Sequence, residues 1–150
     1  MRLVLQRVKR ASVTIADKEV ARIGMGMMVL VGIEHEDTDE DAQWLVKKTV
    51  DMRIFNDENG VMNLSVKDAV GEVLVVSQFT LHASTRKGNR PSYIRAARPE
   101  VAEVLYERYK ALVSTEIGAP VQSGVFGADM QCELINDGPV TIIVDSKYRE

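Results

Sequence analysis

A chain of 150 residues is the length of one domain and hides roughly two-thirds of its unfolded surface on folding. Hydrophobic residues make up 45% and charged residues 27%, an ordinary balance that argues against disorder and against a membrane protein. No stretch nears the ~18 apolar residues of a spanning helix.

Leu3 to Ile15 alternates apolar with polar residues and predicts a half-buried strand. Asp17-Lys18 turns the chain, and EVARIG returns as a second strand. Met27 to Ile33 (MMVLVGI) is a continuous apolar run, which suits a central strand covered on both faces. Asp37 and Thr38 look like an N-cap, and Asp39, Glu40 and Asp41 favour the positive end of a helix. Ala42, Leu45, Val46, Thr49 and Met52 carry that helix's apolar stripe to about Ile54. Asn56 to Gly60 is a turn. Val73 to Val76 is another buried strand, leading into Ser77-Gln78-Phe79-Thr80-Leu81.

Residues 82–97 form a loop longer than the usual connection, so function is suspected there. Pro99 sits where a helix's first turn tolerates proline. Val101, Leu105, Tyr109 and Leu112 mark that helix's buried side, and Gly118 and Pro120 end it. Met130 to Ile135 alternates, with Met130, Cys132 and Leu134 on one side. Asn136-Asp137-Gly138-Pro139 follows, then Val140 to Val144. These elements predict an α/β chain, residues 1–150 as a single domain. Its sheet is mixed and mostly antiparallel, with two main helices packed on one face.

The net charge of −3 averages over an uneven distribution. Residues 1–10 carry Arg2, Arg7, Lys9 and Arg10 with no acid. Residues 81–98 carry Arg86, Lys87, Arg90, Arg95 and Arg98 with no acid. A partner bearing phosphates would sense these segments more than the mean charge. Equally, they could be two solvated basic surfaces that never meet. The start of the chain lacks the apolar core of a secretory signal, and Cys132 alone cannot form an internal disulfide. A cytoplasmic location is therefore expected. Two histidines and one cysteine, far apart, give no metal-ligand spacing, and no cofactor or metal is expected.

The common catalytic kits are absent: no GxSxG elbow, Walker loop, HExxH or CxxC. Cys132 reads as a core residue. His35 and His82 read as surface histidines rather than bases. Two polar clusters remain. Ser77-Gln78-Phe79-Thr80 ends a buried strand with groups that can donate and accept hydrogen bonds. It is either a site or a common polar strand terminus. Asn136-Asp137-Gly138-Pro139-Val140-Thr141 carries Asp-Gly between two strands, the signal of a hairpin. Yet Pro139 cannot donate to a ladder, and a Gly-Pro bond lies within about 1 kcal/mol of cis. The turn is either that hairpin or a stiff element that screens a ligand's shape.

SQFTL at 77–81 and NDGPVT at 136–141 resemble the two signatures of the D-aminoacyl-tRNA deacylases. The resemblance extends over essentially the whole chain, through QRVKRASV at 6–13 and KGNRPSY at 87–93. It implies a three-layer α/β/β homodimer with two active sites at the subunit interface. It implies hydrolysis of the ester joining a D-amino acid to the 3′ adenosine of tRNA, with glycyl-tRNA also accepted. Carried onto this chain, the site combines Ser77, Gln78, Phe79 and Thr80 of one subunit with a cis Gly138-Pro139 inserted from the other. Asn136 and Val140 flank that pair in the same signature. Arg7 is either a surface arginine or a hydrogen-bond donor to carbonyls near the Gly-Pro turn. Arg86, Lys87 and Arg90 are candidates for phosphates of the acceptor end.

For the chemistry, either Thr80 attacks the ester, or water attacks with help from the terminal 2′-hydroxyl. The second is preferred because no base neighbours Thr80 in sequence. A tRNA-binding module without catalysis and a purely structural homodimer are the rival readings.

Overall fold

A long strand, β1 (Arg2–Ile15), is the spine of the sheet. A computed structural model describes residues 1–149. One edge of β1 pairs along its length with β8 (Gln131–Asp145), antiparallel, from Arg2–Asp145 to Thr14–Gln131. Two shorter strands divide the other edge. β2 (Lys18–Ile23) takes Ala11 to Ile15, and β3 (Gly26–Gly32) takes Arg2 to Val8. β6 (Glu72–Ser77) lies parallel to β3, and the two-residue β7 (Gln122–Ser123) is parallel to β6. A small hairpin, β4 (Phe55–Asn56) with β5 (Met62–Leu64), flanks the Asn56–Gly60 turn.

Side chains alternate across a strand, so the central strands feed two cores. Met27, Val29 and Val31 of β3, with Val73 and Val75 of β6, join one cluster. The helices α1 (Asp39–Asp51) and α2 (Pro99–Ile117) add Leu45, Val46, Tyr106 and Tyr109 to it. Met28, Leu74 and Val76 point the other way, to Val13, Ala21 and Ile23. The sheet must curl to bring β2 over β6, which gives it a barrel-like form.

The first helix starts where its cap residues stand. Thr38 N–H donates to Asp41 Oδ2 at 2.9 Å, the return half of a capping box. Asp41 also accepts from Lys147 Nζ at 2.8 Å. Burial pushes the Asp41 carboxyl up. The bonds from Lys147, Ser146 and Thr38 outweigh that and hold it well below the usual carboxylate range. The α2 stripe differs from its predicted phase by one residue at the start. Ala102, Leu105, Tyr106, Tyr109 and Val113 are buried, while Val101 is 53% exposed. Alanine at 102 lets the first turn approach the sheet, and Val101 turns outward.

Of the two readings of the second polar cluster, the hairpin is the one that fails, and the surface reading of His82 fails with it. Asn136–Pro139 is not a hairpin, because the chain keeps its direction and both flanks of the motif pair with β1. Between the Gln6–Thr141 and Val8–Asn136 pairs, β1 advances two residues and β8 advances five. The extra residues loop out as a wide bulge. A 14-residue partner edge holds both halves in line, and that overrides the local turn signal.

His82 is not a surface residue but fully buried. It ends a 3₁₀ turn, Phe79–His82, that packs on the C-terminal end of β3. The room for it comes from Gly32: a Cβ there would stand 2.9 Å from Leu81 Cβ and 3.0 Å from His82 Cδ2.

Burial lowers the pKa of His82 from its ordinary 6.5 and outweighs the Gly32 main chain and the Glu34 carboxylate, which raise it, while the charges of Arg2 and the N-terminal ammonium add to the lowering. The unfolded chain therefore binds a proton below pH ~6.5 that the folded chain resists. Stability supplied by neutral His82 is present above that pH and is lost as pH falls toward the folded pKa. Urea midpoints should drop between pH 7.5 and 5, above the range where carboxylates titrate. His82→Leu should remove that drop. A His82→Leu protein with an unchanged acid limb would contradict this assignment.

Candidate active site

The central strand β6 ends at Ser77, opposite Val31 of β3. Gln78 N–H then donates to Val31 O at 2.8 Å, the last rung before the 3₁₀ turn. The turn brings three of the four predicted residues to a rim. Ser77, Gln78 and Phe79 line a cavity of about 650 Å³. Thr80 is half-buried, and its Oγ1 accepts from Gln78 Nε2 at 2.6 Å. No histidine or carboxylate bonds Thr80 among the described residues. Phe79 is 56% exposed and meets Tyr93 edge-on at 5.1 Å between ring centroids. An exposed aromatic pair at the mouth of a cavity offers a flat apolar surface.

Two lining residues were missed in the sequence. Cys132 was assigned to the core, but its side chain is exposed and faces this cavity. Its alternation with Met130 and Leu134 was correct. The face they share is only partly covered at that end of the edge strand β8. Asp129 also lines the cavity, a carboxylate that no motif marked.

The second signature lies elsewhere. Gly138 and Pro139 are exposed, and the bond between them is cis. Gly138 has a φ of +132°, a conformation open to glycine and strained for other residues. A Cβ there would also come within 2.8 Å of Val140 Cγ2 and 3.0 Å of Arg7 Nη2. Asn136 braces the bulge from inside. Its Oδ1 accepts from Val140 N–H at 2.9 Å, and its Nδ2 donates to Thr141 Oγ1 at 2.8 Å.

Arg7 is a buried clamp, 7% exposed. It keeps the alternation of Leu3 and Leu5 and so points inward. Its Nε donates to Asp137 O at 2.9 Å, and Nη1 donates to Ile54 O at 2.6 Å and Asn56 Oδ1 at 3.2 Å. The Asp137 carboxylate lies 3.6 Å from Nε and offsets the buried charge. Of the two readings, the donor to the bulge is the one observed.

The two signatures of one chain do not share a cavity. Arg7 and Asp137 border a separate cavity of about 380 Å³. Along β1, Leu3 pairs with Val31 beside the first motif, while Arg7 pairs with Met27 four residues away.

The two basic segments also part company. Arg2 pairs with Asp145, Lys9 with Asp137 and Arg10 with Glu133, so the N-terminal charges are answered within the fold. In the loop, Arg95 pairs with Glu34 at 2.8 Å. Arg86, Lys87 and Arg90 are exposed and make no ion pair among the described residues. Among those residues, no helix is long and apolar enough to cross a membrane.

An apolar cavity with a few converging polar groups, lined in part by Tyr93, Ala96 and Ala97 of the long basic loop, marks a ligand-binding site of the enzyme kind. The sequence pattern of the D-Tyr-tRNA(Tyr) deacylases matches residues 4–145. The chain is 59% identical to the D-aminoacyl-tRNA deacylase of Parabacteroides distasonis and 59% identical to that of Flavobacterium psychrophilum, in each case over the whole of both chains. It is similar to the solved c-Myc DNA unwinding element binding protein, with a TM-score of 0.90 and 41% identity over 97% of this chain and 98% of the other. A structure described as a probable eukaryotic D-amino acid tRNA deacylase shares the fold, with a TM-score of 0.81 at 22% identity over 95% and 97%. The chain belongs to the D-Tyr-tRNA(Tyr) deacylase family, and with it to the hydrolases that cleave carboxylic esters.

Arg7→Lys keeps the charge but cannot donate to Asp137, Ile54 and Asn56 together. It should cost about 1–3 kcal/mol of stability in urea titrations, the range for stranding buried acceptors. An unchanged midpoint would remove Arg7 from its role as clamp.

Proposed function

We propose that this protein hydrolyses the ester of D-aminoacyl-tRNA, releasing free tRNA and the D-amino acid, and that it rejects the L form by shape. One observation carries the reading beyond the family. The chain holds its Gly138-Pro139 bulge out on an exposed edge, clamped from behind by Arg7, away from its own cavity. An element so rigidly presented to the outside suits insertion into a second copy. The site is then built at the interface of a homodimer, each with one three-layer α/β/β domain. Ser77, Gln78, Phe79 and Thr80 come from one protomer, and the partner supplies Gly138 and Pro139, braced by Asn136, Val140 and Arg7.

The stereochemistry follows from that arrangement. A D and an L residue exchange side chain and hydrogen at Cα. With the amino group and the ester fixed, a main-chain wall meets the L side chain and only a hydrogen of the D form. Selectivity arises by exclusion rather than by affinity. Many D side chains should be accepted, and glycine should pass because it has nothing to exclude.

For hydrolysis, water adds to the ester carbonyl and the bond to the ribose 3′-oxygen breaks, with the neighbouring 2′-hydroxyl assisting proton transfer. Thr80 Oγ1 is bonded by an amide rather than by a base, which supports a positioning role for it and not attack. The unpaired Arg86, Lys87 and Arg90 suit phosphates of the acceptor end, contacts that orient RNA without reading its sequence. The work belongs in the cytoplasm, with the charged tRNA. The same cations support the second reading, a module that binds RNA without cleaving it.

Purified protein given matched D- and L-tyrosyl-tRNA should release D-tyrosine and leave the L ester intact. Binding of both without release would establish the second reading instead. Thr80→Ala should retain substantial activity, and near-total loss with intact binding would restore Thr80 as nucleophile. Affinity for tRNA should fall steeply with salt, by a slope of roughly 0.7 to 0.9 in log units per phosphate contact.

A further inference from the structure

Glu34 is a junction that neither the cavity nor the two signatures use. It follows β3 directly, and its carboxylate is largely buried, 17% exposed. Its main chain is fixed: Glu34 N–H donates to Asp37 Oδ2 at 2.6 Å, and a β-bridge joins it to Ala96. From that fixed base, one oxygen, Oε1, serves two elements. It lies 2.8 Å from Arg95 Nε in the return arm of the basic loop. It also lies 3.3 Å from Nδ1 of His82, in the turn that carries Phe79 and Thr80. His82 is buried, and its ring faces this carboxylate and the Gly32 main chain.

Around this point the loop is tied down. Ser84 and Ser92 exchange main-chain hydrogen bonds at 2.8 and 2.9 Å and close a neck. Ala97 N–H donates to Ile33 O at 2.9 Å, and His35 Nε2 contacts Ile94 O at 3.1 Å. Beyond the neck, the tip with Arg86, Lys87 and Arg90 carries no such tie to the fold among the described residues. The stem joins that tip to the cavity, which Tyr93, Ala96 and Ala97 line, and among the described residues Arg95 makes the stem's one side-chain ion pair to the sheet side. Arg95 is 47% exposed, so the pair adds little stability. Its effect is on position.

We propose that Glu34 is a positioning residue that fixes the basic loop relative to the Phe79–His82 turn, so that phosphate contacts and ester are presented in register. This rests on the loop's phosphate-binding role proposed above.

A test follows from the sign of the charge. Glu34 is an anion close to an RNA-binding surface. Were it a mere anion, Glu34→Gln would tighten tRNA through long-range attraction. As a positioning residue, its loss weakens tRNA instead. Glu34→Gln and Arg95→Ala should each raise KM for D-tyrosyl-tRNA about twofold to fivefold, the most that a half-exposed ion pair can shift the loop's position. kcat should stay within about twofold, and the double variant should be no worse than either single one. Arg95→Lys should restore part of the loss. With 3′-D-tyrosyl-adenosine, which has no phosphates, KM should not move. A lower KM for Glu34→Gln, equal losses on both substrates, or additive losses would overturn the proposal. Combined alanine at Arg86, Lys87 and Arg90 separates the two levels. If it leaves KM for tRNA unmoved, the loop reading itself fails. If it raises KM while Glu34→Gln does not, only the role of Glu34 falls.

Discussion

The antiparallel pairing of β1 with β8 on both sides of the bulge is the constraint on which the other features rest. It runs from Arg2–Asp145 to Thr14–Gln131, so any extra residues in β8 have to leave the ladder. Those residues are Asp137 to Val140, with Gly138 and Pro139 at their centre. A bulge on a free strand would wander. Here the guanidinium of Arg7 reaches through from the core side to Asp137 O, and the Asn136 amide ties the base of the bulge. The outcome is main chain held out from an edge strand with its orientation set from within.

In the proposed reading, that geometry suits a task where chirality must be judged without attraction. A pocket contoured to one D side chain would bind few substrates, since each added or missing methylene shifts affinity by only ~1–3 kcal/mol. A wall placed against the L side chain is indifferent to what the D side chain is. Main chain makes a durable wall, because its position depends on the fold and not on one rotamer. The same division of labour extends to the nucleic acid in the proposed reading. Charges on the loop would supply affinity, and the strand end with Phe79 and Thr80 would supply orientation. Glu34 bridges the two.

Much of this was legible in the sequence where local signals agreed with tertiary demand. The apolar run Met27–Ile33, the cap at Thr38 and the alternation of β1 appear in the structure where the spacing put them. Ser77 to Phe79 likewise emerges from a buried strand into a cavity. The readings left open and those that fail share one cause. Asp137-Gly138 is a hairpin signal only when no neighbour holds both flanks in line, and β1 does so. Arg7 follows Leu3 and Leu5 in phase, yet the acceptors that make its burial tolerable, Ile54 and Asn56, come from a distant hairpin. His82 is buried because Gly32 leaves room for it, fifty positions away. Cys132 alternates as core residues do, but the edge strand it occupies is open to the cavity. In each case the deciding partner is remote in sequence and no local pattern encodes it.

Whether one copy's bulge completes the other copy's cavity can be read by mixing two inactive variants. One carries Gln78→Ala with an intact bulge, and the other carries Gly138→Leu with an intact cavity. In a dimer with composite sites, each mixed pair rebuilds one site from its two undamaged halves and ruins the other. After unfolding and corefolding at equal amounts, about a quarter of the wild-type D-tyrosyl-tRNA deacylation should return, since half the dimers are mixed and half their sites are whole. No recovery above the two parents, with mixed dimers demonstrably formed, would contradict the composite site.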